Sequence, residues 1–221
     1  MKIEMAAFDV AGTTVRDDGI VLKAFTNAFE RTRPQDWSAN KTKWTQYAIQ
    51  TMGRSKIEVF SEILGNREDA LIANRAFEAA YVESVESEGI AEITGSEKLF
   101  ALLRDRGIKV ALTTGFSRST LEVIIYKMGW KSKVDLTVTA EDAGRGRPHP
   151  DMLEYAARTF GVLDRGATLI VGDTPADMQA ATTFGSLLRV GVLTGTSSSV
   201  ELVKSGATSV VNSVAEVSSL L

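Results

Sequence analysis

The sequence predicts an α/β protein, a doubly wound parallel sheet with a block of helices inserted into it, on three observations. An apolar run, Ile3 to Val10, contains Asp9 near its end and passes into a Gly12-Thr13-Thr14 turn. From Val21 to about Ser87, apolar residues recur at helical spacing and no strand pattern appears. From Ser96 onward strand and helix patterns alternate, which implies right-handed crossovers and a sheet covered on both faces.

The first run carries Ala6, Ala7 and Phe8 in succession, the pattern of a central strand. Asp9 then brings a carboxylate to the strand's end, where ligands of such sheets bind. Gly12 lets backbone approach a ligand closely, and Thr13 and Thr14 add hydroxyls and amide donors suited to a phosphate or an oxyanion. Read alone, the stretch is equally an aspartate opening a β-turn. The next segment, Arg16-Asp17-Asp18-Gly19-Ile20, suits either a short hairpin beside Asp9 or a polar surface loop.

The helical block sets Leu22, Phe25 and Phe29, then Trp44, Tyr47 and Ala48, then Ile57, Phe60, Ile63 and Leu64, then Leu71, Phe77, Tyr81 and Val85 on helical faces. Pro34, Gly53 and Gly65-Asn66 divide it into about four helices. Ser87 to Gly95 reads as the return linker, so residues 1–15 and 92–221 form the core domain and residues 16–91 an inserted helical cap. In the second half the spacing predicts helices over Glu97 to Arg106, Ser117 to Met128, Asp151 to Phe160, Pro175 to Phe184 and near Ser199 to Ser205. Strands are predicted over Ile108 to Thr114, Val134 to Thr139, Ala167 to Gly172, Leu187 to Val192 and Ser209 to Val211. Thr194 to Ser199 reads as a surface loop and helix cap.

A chain of 221 residues, 44% of them apolar, can bury a full core and carry a smaller insert. The formal charge of -3 argues against a nucleic-acid surface, and the single histidine, His149, against histidine-rich metal sites. There is no cysteine, which excludes disulfides, thiolate zinc and a cysteine nucleophile and is compatible with a cytoplasmic setting. Met1-Lys2-Ile3-Glu4 passes directly into strand pattern with no signal-like apolar stretch, and no apolar window approaches a membrane span. A homodimer is left open.

The residues just past four strands form one chemical set. They are Asp9 with its Gly12-Thr13-Thr14 turn, Thr113-Thr114-Gly115-Phe116-Ser117, Arg145-Gly146-Arg147-Pro148-His149-Pro150, and Gly172-Asp173-Thr174-Pro175-Ala176-Asp177. Asp9, Asp173 and Asp177 together would repel a phosphate dianion, so a hard divalent cation is needed to unite them, and Mg2+ fits a site of oxygen donors. Arg147 and helix-start amides such as that of Gly115 would neutralise the rest of a phosphoryl group. Taken singly, Asp173 and Asp177 read as a helix cap and a first-turn carboxylate. His149 reads as a loop residue, Trp37, Trp44 and Trp130 as packing, and Lys127, Lys131 and Lys133 as a solvated face.

These four segments, in this order and with a helical insert between the first and second, resemble the haloacid dehalogenase superfamily, whose core is Rossmann-like. The resemblance implies that Asp9 is a nucleophile forming an aspartyl-phosphate, and that Thr114 binds the phosphoryl group with Thr13 and Gly115 beside it. It also implies that Arg147 stands for the usual lysine, and that Asp9, the Ala11 main-chain carbonyl, Asp173 and Asp177 hold Mg2+. The usual acid two residues after the nucleophile is Ala11 here. Ala11 and Arg147 both resemble the phosphonatase branch, that of phosphonoacetaldehyde hydrolase and its near relatives, whose first motif reads as residues 9 to 14 do.

Loss of that acid matters because an ordinary phosphate ester expels an alkoxide that needs a proton, a service worth roughly 10² to 10⁴ in rate. A phosphonate instead expels carbon, which leaves readily when a protonated imine takes up the electron pair. Met52-Gly53-Arg54-Ser55-Lys56-Ile57 resembles the branch's Schiff-base stretch and implies that Lys56 forms that imine, with Arg54 nearby to lower its pKa. Val59 stands where the branch has a histidine. The expected substrate is therefore a small phosphonate resembling phosphonoacetaldehyde, and the alternative is a small phosphate monoester.

Overall fold

A computed structural model describes residues 2–221. Six strands, β1 (Met5–Asp9), β2 (Lys109–Thr114), β3 (Leu136–Thr139), β4 (Thr168–Gly172), β5 (Leu188–Val192) and β6 (Ser209–Val211), form one sheet. Its order is β3-β2-β1-β4-β5-β6 and every pairing is parallel. β1 is buried along its whole length, as an apolar run between two neighbours should be. Met5 and Ala7 point into one apolar cluster with Ala111, Ile170 and Phe184, whereas Ala6 and Phe8 point into another with Leu112, Leu169 and Val190. That period of two fixes which face each strand residue serves. The winding reverses on either side of β1, so the loops after β1 and β4 part and leave a crevice at the strands' carboxyl ends.

Between β1 and β2 lie four helices, α1 (Ile20–Thr32), α2 (Pro34–Gln50), α3 (Lys56–Leu64) and α4 (Arg67–Glu88). They form the inserted cap. Their apolar faces meet in a cluster of rings: Phe29 lies 5.0 Å from Phe25, 5.5 Å from Trp37, 4.5 Å from Trp44 and 5.4 Å from Phe60, centroid to centroid. Such pairs contribute beyond the area they bury. Phe116, from the loop after β2, packs on Phe77 and Tyr81 of α4, so one apolar cluster runs from cap into core. The two chain crossings between these regions are paired. Arg16 N–H donates to the Ala91 carbonyl at 2.9 Å and Ile93 N–H to the Thr14 carbonyl at 2.8 Å, around an antiparallel Val15–Glu92 bridge.

The core helices are α5 (Ser96–Asp105), α6 (Arg118–Met128), α7 (Ala140–Ala143), α8 (Asp151–Phe160), α9 (Pro175–Phe184) and α10 (Ser199–Lys204). The structure refines the sequence expectations in four places. Residues 16 to 19 are a loop rather than a hairpin, since the Asp17 side chain and carbonyl are taken by the first amides of α1. α4 runs to Glu88, so the return linker begins at Gly89, which has a φ of 79°. α7 and a closing 3-10 segment over Val214–Leu220 were not expected, and both are too short to show a period. No helix among the described residues is long and apolar enough to cross a membrane.

Candidate functional site

The site begins where β1 ends. Gly12 has a φ of 86°, and a Cβ there would lie 2.7 Å from Asp173 Oδ2, so both backbone and space demand glycine. The turn is tied down by Thr14, whose amide donates to the Val10 carbonyl at 2.9 Å and whose hydroxyl donates to the Asp9 carbonyl at 2.9 Å. Thr13 Oγ1 donates to Asp173 Oδ1 at 2.8 Å, which spends that hydroxyl on orienting a carboxylate rather than on the open cavity. Thr174, at the end of β4, caps α9 reciprocally with Asp177, whose carboxylate is thereby fixed facing β1.

Arg147 enters from the loop between α7 and α8 and is only 3% exposed. Its Nη1 bonds to Asp177 Oδ1, and its Nη2 lies 2.6 Å from Asp9 Oδ1, too close to be unpaired but outside good hydrogen-bonding geometry. This ion pair is not legible in the sequence: the guanidinium expected to hold a phosphoryl group lies between two carboxylates. Burial opposes its charge, and the Asp177 and Asp9 charges more than restore it. Asp9, Asp173 and Asp177 offer oxygens that all lie within 4.8 Å of one another. Burial pushes Asp9 up to about 6, with Arg147 opposing and Asp177 adding to the rise. Asp173 is pushed well above the usual carboxylate range by burial and by its two acidic neighbours. Three buried carboxylates face one guanidinium, and a donor set made wholly of oxygen is one that could hold a hard divalent cation such as Mg2+.

Core and cap together line a small cavity. Its floor includes Asp9, Ala11, Thr114, Gly115, Arg147 and Asp173, and its roof Val21, Met52, Gly53, Arg54 and Lys56. Contact between the two sides is made through glycine. A Cβ on Gly53 would lie 2.3 Å from Thr174 Oγ1, one on Gly115 2.6 Å from the Arg54 carbonyl, and one on Gly146 2.9 Å from Ser55 Cβ. Thr114 is buried, and its hydroxyl accepts from the Phe116 amide at 3.2 Å.

Lys56, the first residue of α3, is 9% exposed and, among the described residues, makes no ion pair and reaches only the Arg54 carbonyl at 3.4 Å. Burial foremost, then the Arg147 charge, bring its amine down to about 8, against the pull of Asp9, Asp17 and Asp173. The expected helper, Arg54, is engaged elsewhere: Glu62 takes its guanidinium at 2.7 and 3.0 Å. Arg147 is the cation that acts. Val59 is buried in the cap's apolar cluster.

Some cavity residues were not singled out in the sequence. A Cβ on Gly195, after β5, would lie 1.7 Å from Asp173 Oδ2, and Thr194 Oγ1 donates to the Gly12 carbonyl at 2.6 Å. This surface loop, whose Ser198 caps α10 as expected, therefore also supports the site, and a glycine at a fifth strand end was the available signal. Asp17 also lines the cavity. His149 is exposed, and the three tryptophans are buried in packing, as read.

A family model described as haloacid dehalogenase-like hydrolase matches residues 3–185. A curated phosphonoacetaldehyde hydrolase from Bacillus cereus (strain B4264) is 31% identical over 210 residues, covering 89% of this chain and 78% of that protein. Among solved structures, a phosphonoacetaldehyde hydrolase-like protein from Oleispira antarctica superposes with a TM-score of 0.83 at 24% identity, covering 100% of this chain and 91% of the other. A hydrolase from Pseudomonas syringae gives a TM-score of 0.82 at 21% identity, covering 98% and 96%. At those identities the structures speak for the fold alone.

Proposed function

The chain belongs to the haloacid dehalogenase-like hydrolase family, and from that premise we propose that it moves the phosphoryl group of a small organophosphonate to Asp9 and thence to water. The observation that carries this reading is the pairing of two buried groups across one small cavity. Asp9 lies on the core side among Asp173, Asp177 and Arg147, and Lys56, an amine of lowered pKa, on the cap side.

In this reading Asp9, the Ala11 carbonyl, Asp173 and Asp177 would hold Mg2+, which when bound supplies charge neutralisation for carboxylates and phosphoryl oxygens alike. Thr114 and the Gly115 amide orient the phosphoryl group, and Arg147 shares its planar fork between that group and Asp177. The neutral Lys56 amine adds to an aldehyde carbonyl, expels water and takes up a proton from solvent, giving an iminium. As an Asp9 oxygen attacks phosphorus, the C–P electron pair moves into that iminium as an enamine. Protonation and hydrolysis then return the amine and release the dephosphonylated aldehyde. Water attacks the aspartyl-phosphate and frees phosphate and Asp9.

A second reading, a phosphatase acting on a small phosphate monoester, is favoured by Val59, which brings no imidazole to assist imine chemistry. One experiment separates the two. Phosphate release is measured with and without Mg2+ on phosphonoacetaldehyde and on sugar and glycolyl phosphates, and borohydride is added with the aldehyde. The phosphonate reading expects inactivation and added mass on the Lys56 peptide, with activity lost in Lys56→Arg. Ester turnover with no adduct leaves the phosphatase, and no release from any substrate refutes both.

A further inference from the structure

Position 11 leaves a chemical gap, since an alkyl phosphate needs a proton on its departing oxygen and Ala11 has none to give. In-line displacement sends the leaving group away from Asp9, toward the cap. The cavity wall on that side holds a carboxyl group without an assigned role. Resting on the reading that phosphoryl passes to Asp9, we propose that Asp17 is the proton donor, and then the proton acceptor, for ester substrates in this site.

Asp17 lines the same cavity as Asp9, Ala11, Lys56 and Asp173 and stands where the chain turns from the core into α1. Its position is fixed. The Val21 amide donates to its Oδ1 at 2.9 Å, the Ile20 amide to its carbonyl at 2.8 Å, and Asp18 and Gly19 follow in left-handed conformation with φ of 45° and 81°. One carboxyl oxygen is thus held by the helix start, and the other makes no ion pair among the described residues. The groups that face it are Lys56 from α3, Asp18 from its own loop, and Tyr81 from α4, whose buried hydroxyl has no hydrogen-bond partner among the described residues. Burial raises the Asp17 pKa, the Val21 amide and Lys56 pull against it, and Asp18 adds to the rise. An acid held above its ordinary range keeps its proton closer to neutrality.

The step balances. As an Asp9 oxygen bonds to phosphorus and the P–O ester bond breaks, the Asp17 proton passes to the leaving oxygen, giving the alcohol and an Asp17 carboxylate. That carboxylate then takes a proton from the water attacking the aspartyl-phosphate, so phosphate leaves and both aspartates return to their starting forms.

Two esters with Mg2+ test this: p-nitrophenyl phosphate, whose phenolate departs unaided, and phosphoglycolate, whose alkoxide needs the proton. Asp17→Asn, which keeps an acceptor for the Val21 amide, should slow phosphoglycolate by roughly 10²-fold or more and the aryl ester by less than about threefold. Asp17→Ser, also an acceptor, should behave alike, and circular dichroism verifies that both fold. In wild type the phosphoglycolate rate should fall as pH rises past the Asp17 pKa, a limb that Asp17→Asn lacks. Adding Ala11→Asp to Asp17→Asn should restore alkyl turnover. Equal slowing of both esters would make Asp17 a loop anchor only, and no slowing of either would place the proton elsewhere. If wild type hydrolyses phosphonoacetaldehyde but no ester, the assignment fails while the Asp9 reading stands; if Asp9→Asn matches wild type on the aryl ester, that reading itself fails.

Discussion

Core and cap bury their residues for different ends. The sheet is built of small and branched apolar side chains, and at its carboxyl edge it buries Asp9, Asp173, Asp177 and Arg147. The cap is built of rings, Phe25, Phe29, Trp37, Trp44, Phe60 and Phe77, and Lys56 is the charged residue it buries. Buried charge is costly, and it persists where the surrounding frame is rigid enough to hold partners at fixed distance. A parallel sheet with paired strands is such a frame. The helical cap gains its stability from apolar contact and adds a single amine and a roof. The strand ends therefore carry the cluster of buried charge, and the insert faces it across the cavity with Lys56 and Asp17.

The largest effect that tests this division is at Asp9. Asp9→Asn should lower turnover by on the order of 10⁴-fold while fold and Mg2+-dependent ligand binding persist, because the amide keeps the shape and loses the nucleophile. A variant retaining more than a few per cent of the wild-type rate would place the nucleophile elsewhere. Next is Arg147. Arg147→Ala leaves Asp9 and Asp177 buried without their cation, so it should cost roughly 3–5 kcal/mol in denaturant unfolding and about 10²- to 10³-fold in rate. Arg147→Lys should keep measurable activity with one point charge in place of the fork. Wild-type activity in the alanine variant would mean that Arg147 serves folding alone.

On the cap side, Phe29→Ala removes the ring shared by Phe25, Trp37, Trp44 and Phe60. It should cost about 3–5 kcal/mol of stability, read by thermal or denaturant unfolding. A loss below about 1 kcal/mol would show that the ring cluster can collapse around the gap. The smallest effect concerns Lys56, whose pKa is lowered from 10.5 to about 8. Its neutral fraction therefore rises as pH climbs through 8, and borohydride trapping with phosphonoacetaldehyde should speed up by about tenfold between pH 7 and pH 9. A flat profile would deny Lys56 the attacking role.

The core was the legible region because its sequence repeats one unit, and each strand end carries its chemistry within a few residues of a turn. All six strands and the grouping of Asp9, Thr114, Arg147 and Asp173 around one cavity follow from that pattern. What escaped the sequence are contacts between distant loops. Gly195 against Asp173, Gly53 against Thr174, and Arg147 between Asp9 and Asp177 join segments whose separation no local period encodes. Asp17 was hidden differently, as an acidic turn residue that looks like any solvated loop until the cap is folded over it.

The paired crossing at Thr14, Val15, Ala91 and Glu92 has a consequence for inheritance. The chain departs from the sheet and comes back at one place, so the ends of the core that flank the insert already lie a hydrogen bond apart. A linker of two or three residues would span that gap, and an insert of another length would load the core with only the slowly growing entropy of a longer loop. The four helices are in that sense exchangeable cargo: one insert could replace another while the strand ends beneath stay as they are.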